Sequence, residues 1–99
     1  MRSRSIIPEV HNLTIPVGES KAVTFDGLAV SLYILNTAAG IAEVQLDDAD
    51  AFRLASGAEV QFHKDDVHVQ QVTVSAPGQV NFYSPNGPVE VLVIAGVTA

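Results

Sequence analysis

Apolar residues recur at two-residue spacing along nearly the whole chain, the period of a strand with one buried face, and the bulky ones are largely β-branched. Leu13 and Ile15 alternate with Asn12 and Thr14 ahead of a Pro16-Val17-Gly18-Glu19 turn. Val23 and Phe25 alternate with Thr24 ahead of Asp26-Gly27, a strong turn dipeptide. From 28 to 35 both faces are apolar, with Val30, Leu32 and Ile34 on one and Ala29, Tyr33 and Leu35 on the other, which predicts a central or doubly covered strand. Val44 and Leu46 alternate with Glu43 and Gln45 until Asp47-Asp48-Ala49-Asp50, which reads as a solvated turn or a cation site.

Phe52 and Leu54 make a short segment, and Val60 and Phe62 alternate with Glu59 and Gln61 until Lys64-Asp65-Asp66 closes that strand. Val67 and Val69 share one parity and Val72 and Val74 the other, so a β-bulge at Gln70-Gln71 keeps the valines on one face. Val80 and Phe82 alternate with Asn81 and Tyr83, and 89–95 is again apolar on both faces. This gives about eight short strands at roughly ten-residue spacing, the rhythm of an all-β antiparallel β-sandwich or a small jelly-roll or barrel. The best helical stretch, 48–56, is long enough for only a marginal helical turn. Residues 9–99 are expected to form one β-sandwich domain, with 1–8 as an N-terminal arm that adds to a neighbour through Arg2, Arg4, Ile6 and Ile7.

The chain of 99 residues is 47 % hydrophobic and 16 % charged, a folded composition. It holds no cysteine, which excludes disulfide scaffolds, zinc ribbons and thiolate catalysis. Five Lys and Arg against eleven Asp and Glu give a net charge of −6, the wrong sign for direct nucleic-acid binding. Arg2 and Arg4 are too few charges to hold a membrane, and no stretch approaches the ~20 apolar residues of a spanning helix. Pro8, Glu9, His11 and Asn12 interrupt the apolar run a signal peptide needs, so synthesis in the cytoplasm is expected.

Charge this sparse falls short of the ~25–35 % charged surface that keeps a small monomer soluble. Two strands apolar on both faces need a second cover. The expectation is a homo-oligomer, a trimer or larger, with Val89, Val91, Leu92 and Ile94 at the subunit contact.

His63-Lys64-Asp65-Asp66-Val67-His68 packs two of the three histidines beside two carboxylates, so His63, Asp66 and His68 are the weak candidates for a metal. On a continuous strand His63 and His68 point to opposite faces, and a solvated turn fits the segment better, so no metal or other cofactor is expected. Asp47, Asp48 and Asp50 lack the Asp-x-Asp-x-Asp-Gly core of a calcium loop. No nucleophile elbow, phosphate loop or dinucleotide fingerprint occurs, and no catalytic residue is assigned.

The segments 17–28, 44–48, 54–62, Val72-Thr73-Val74 and Val80-Asn81-Phe82-Tyr83 resemble, in strand and turn rhythm, the small β-sandwich accessory proteins of tailed-phage virions that decorate or cement a capsid. The resemblance implies a non-enzymatic viral structural protein, located in the virion of a bacteriophage, with homo-oligomer contacts and a major capsid or other virion protein as partner. A phage tail or head–tail adaptor subunit shares that architecture. The competing class is a small-ligand or metal-binding β-sandwich, cupin-like or carbohydrate-binding, which requires His63 and His68 on one pocket wall.

Overall fold

The computed structural model describes residues 5–80 and 84–98. These residues contain no helix and form seven strands: β1 (Ile6–Ile15), β2 (Ser20–Asn36), β3 (Ala42–Leu46), β4 (Phe52–Leu54), β5 (Glu59–Phe62), β6 (Val69–Ser75) and β7 (Val89–Thr98). All pairings are antiparallel, in the order β1-β7-β2-β6-β3-β4, with β5 also on β2.

The 17 residues of β2 belong to both layers of a β-sandwich. Residues 20–24 pair with β6, whereas 31–36 pair with β7 and 32–35 with β5. One layer is therefore β1-β7-β2-β5 and the other β2-β6-β3-β4. The crossing point is Asp26-Gly27, which is a bend inside one strand and not the hairpin turn its composition predicts. There the β2–β6 register shifts between Thr24 and Ala29, so that four residues of β2 pass one of β6. Gly27 is required because a Cβ at that position would overlap the Thr98 carbonyl of β7.

On the β6 side, Val69, Val72 and Val74 are all buried, the parity change expected at Gln70-Gln71. Asp47 clamps it from the next strand's end. Its Oδ1 accepts from the amides of Gln70 (3.0 Å) and Gln71 (2.9 Å). Its own amide donates to the Gln71 carbonyl at 2.9 Å, with φ in the left-handed region at 51°. The first acid of the Asp47-Asp48-Ala49-Asp50 run is thus spent on backbone pairing.

Between the layers, Ile15, Val89, Val91, Val93, Ala95, Leu32 and Ile34 from the first meet Val23, Phe25, Val72, Val74, Ala42, Val44 and Leu54 from the second in one core cluster. Burying each of the larger side chains contributes roughly 1.5–3 kcal/mol. The one buried polar residue among those described is Asn36, at the end of β2. Its Nδ2 donates to the carbonyls of Gly40 (2.7 Å), Leu54 (3.0 Å) and Ala55 (3.3 Å), tying β2 to the ends of β3 and β4.

Three expectations change. Ile6, Ile7 and Pro8 do not form a free arm but the first rungs of β1, opposite Thr98, Val97 and Gly96; Arg2 and Arg4 lie outside the described residues. Val89 and Val91, expected at a subunit contact, are 0 % and 2 % exposed, because their parity on β7 points them into the core. The strands expected at 23–25 and 28–35 are one strand, β2. Of the segment expected at 80–83, residues 81–83 lie outside the described residues, beside an isolated bridge between Gln79 and Pro85.

Candidate functional site

Register fixes what the outward face of the first layer displays. Val10 of β1 lies opposite Ile94 of β7, Ile94 opposite Tyr33 of β2, and Tyr33 opposite Gln61 of β5. The next row runs Asn12, Leu92, Leu35, Glu59. Val10 is 58 % exposed and Ile94 36 %, and Ile6 adds 41 % at the near end of β1. Of the four residues expected at a contact, Leu92 and Ile94 are on this face. Val10, Tyr33 and Leu35 join them from neighbouring strands, which periodicity within one strand cannot show.

The face has a polar margin. Tyr33 donates its hydroxyl to Glu59 Oε2, and this hydrogen bond pushes the phenol above its ordinary value. Toward the β5–β6 turn the face sinks into a shallow groove of about 400 Å³, whose lining includes Ile6, Pro8, Tyr33, Gln61, His63 and Lys64. Gly96 forms part of its floor, where a Cβ would press on Ser31 and Ile6.

At the edge, β1 turns polar side chains inward. His11 Nε2 donates to Glu9 Oε1 at 3.0 Å, and Glu9 Oε2 accepts from the Asp26 amide at the β2 bend, also at 3.0 Å. The His11 ring lies 6.0 Å from that of buried Phe25, tilted by 58°. The hydrogen bond from His11, and then that from the Asp26 amide, hold the Glu9 carboxyl below the usual glutamate value.

The histidine segment is a turn. The His63 amide donates to Asp66 Oδ2 (3.1 Å), the Asp66 amide returns to the His63 carbonyl (2.9 Å), and the Asp65 amide donates to the Val30 carbonyl (2.8 Å). His63, Asp66 and His68 are all exposed, and His68 Nε2 faces Asp65 Oδ1 at 3.9 Å. Among the described residues, no three His, Asp or Glu side chains converge as metal ligands. His11 is held by Glu9, apart from the other two.

No family model matches the sequence, and no curated protein matches it. Solved structures match the fold. An HTH_3 family transcriptional regulator from Vibrio cholerae superimposes with a TM-score of 0.59 at 20 % identity, over 90 % of this chain and 42 % of its own, so this chain spans less than half of that protein. A conserved protein of unknown function from Streptococcus pyogenes gives 0.56 at 13 % identity, over 98 % of this chain and 68 % of its own. An RmlC-like cupin family protein with a double-stranded β-helix fold from Methanocaldococcus jannaschii gives 0.57 at 10 % identity, over 98 % and 83 %. The chain shares that architecture.

Proposed function

We propose that this chain is a non-enzymatic building block that works by self-association, with the outward face of β1-β7-β2-β5 as the contact. The observation that carries the reading is the apolar row Val10, Ile94, Tyr33 with Leu92 and Leu35 beside it, on a protein whose charge is otherwise spread over its surface. An apolar stripe three strands wide, exposed at Val10 and Ile94 and half-buried at Tyr33, Leu35 and Leu92, costs solubility unless a partner covers it. A second copy suits it because the stripe itself carries no charge, whereas two chains of −6 repel elsewhere. The finer form of the proposal is a decoration protein of a phage capsid, supported by the strand and turn rhythm described above.

Absolute mass in solution tests the reading. Light scattering is expected to give a trimer or larger that Leu92→Asp with Ile94→Asp breaks into folded monomers. A 10.4 kDa monomer in the unaltered chain sinks the proposal. The finer form is tested by density-gradient purification of particles, with which the chain is expected to sediment.

A second reading, a small-ligand module, is favoured by the groove edged with Tyr33, Gln61, His63 and Lys64 and by the cupin architecture. Its signature is a monomer whose melting temperature rises on adding a small ligand, and stays unchanged on that addition once Tyr33→Ala is made in the groove.

A further inference from the structure

We propose that β1 is an exchangeable strand, latched to its own chain through Glu9 and transferred, when that latch opens, to the β7 edge of a second copy. The strand is at the margin of its layer and has a ladder with β7 on one side only. Its outward side chains Ile6, Pro8, Val10, Asn12 and Thr14 are all exposed. Inward, Ile15 alone is fully buried, Leu13 is half-buried, and the two preceding inward positions are Glu9 and His11. Among the described residues, the Asp26 amide on Glu9 is the single side-chain hydrogen bond joining β1 to another element, backed by the His11 ring against Phe25. Opposite Glu9 and His11 on β7 stand Ala95 and Val93, which carry no charge; from β2 come Phe25 and Asp26, so Glu9, His11 and Asp26 are the titratable groups of the latch.

The connection permits exchange. β1 passes to β2 through Pro16-Val17-Gly18-Glu19 without pairing with it, because β7 lies between them. That linker is a reverse turn, with the Glu19 amide on the Pro16 carbonyl at 3.1 Å and Gly18 at φ +85°. Straightening it would carry β1 away from its own body. The vacated β7 edge then presents unpaired amides and carbonyls over ten rungs. The strand of a second copy is its natural occupant, since only an identical β1 restores Ile15, Leu13 and the latch together.

This inference is separable from the face contact. The chain contains no cysteine, so two chains can each be given one: Leu13→Cys in the first and Val91→Cys in the second. These positions are register partners pointing inward, and face-to-face packing does not bring them together. After mixing under oxidising conditions, a mixed disulfide is expected, forming about tenfold faster when both chains also carry Glu9→Gln, the effect of weakening one hydrogen bond to a charged group. It should persist in the Leu92→Asp, Ile94→Asp background. No mixed disulfide overturns the exchange, and equal rates with and without Glu9→Gln overturn the latch. Should either cysteine chain fail to fold, hydrogen exchange on the cysteine-free Glu9→Gln chain decides. Amides of β1 should lose protection relative to those of β6, and unchanged relative protection overturns the proposal.

Discussion

The two layers of the sandwich are alike inside and unlike outside. Inward, the first presents valine, isoleucine and leucine and the second valine, phenylalanine and leucine at alternate positions to one shared core. Outward, β2-β6-β3-β4 shows Ala22, Thr73 and Gln45 in one row and Ser20, Ser75, Glu43 and Arg53 in the next. That row ends on an ion pair between Arg53 Nε and Glu43 Oε1 at 3.5 Å. The matching rows on β1-β7-β2-β5 read Val10, Ile94, Tyr33, Gln61 and Asn12, Leu92, Leu35, Glu59. Equal strand geometry with such different outer chemistry means that the fold accounts for the inner pattern alone. The outer pattern records what each layer meets, water on one side and, in the reading proposed here, protein on the other.

The strongest way to probe this contrast is to cut each layer from inside, where the two should respond alike. Ile34→Ala in the first layer and Leu54→Ala in the second should each cost about 2–5 kcal/mol in denaturant unfolding, because both side chains are buried in the same cluster. A cost confined to one layer would mean that the core is not continuous. The next effect falls on association and should be one-sided. Leu92→Asp is expected to dissociate the proposed oligomer, whereas Thr73→Asp, at an outward position of the other layer, should leave the mass unchanged. Dissociation by Thr73→Asp would transfer the contact to the polar face.

Much of this architecture was legible in residue order, and the failures have physical causes. The doubly apolar stretches at 28–35 and 89–95 mark the two strands lying side by side at the centre of the first layer, and Leu32 and Ile34 take the inner face as their parity requires, but a register shift between Ala29 and Ser31 puts Ala29, and not Val30, in the core cluster with them. Asp26-Gly27 misleads because the same dipeptide that suits a hairpin also suits a strand that must bend past another backbone. Val89 and Val91 could not be told from Leu92 and Ile94 by hydrophobicity, since a strand apolar on both sides gives no sign of which parity is the core. The latch was hidden for the opposite reason. In β1 Glu9 and His11 share the inward parity of Leu13 and Ile15, but they are polar and the outward Val10 is apolar, so hydrophobicity gives no sign that this half of the strand faces inward. What Glu9 meets there is the bend of β2, 17 residues away in sequence, where it accepts from the Asp26 amide.

The smaller effects are electrostatic, and pH separates them by layer. Glu9 is held below its ordinary value in the folded chain, so its contribution to stability is present above the unfolded glutamate value and is lost as pH falls through the folded one. Tyr33 is raised by Glu59, so its contribution is present below the ordinary tyrosine value and is lost as pH rises through the folded one. Both groups belong to the first layer, one at its edge and one on its outward face. In the second layer, the exposed Arg53–Glu43 pair contributes about 0.2–1 kcal/mol and is screened by salt. Alkaline pH should therefore weaken the proposed association before it weakens the fold, because ionising Tyr33, beside the Glu59 carboxylate of the neighbouring row, puts a negative charge into the apolar row proposed as the contact. Sedimentation velocity across the tyrosine range is expected to show the oligomer dissociating while hydrogen exchange in β6 stays slow. Tyr33→Phe should abolish that alkaline step and leave association at neutral pH intact. An alkaline step that survives Tyr33→Phe would mean that net charge, and not the outward face of the first layer, drives the copies apart.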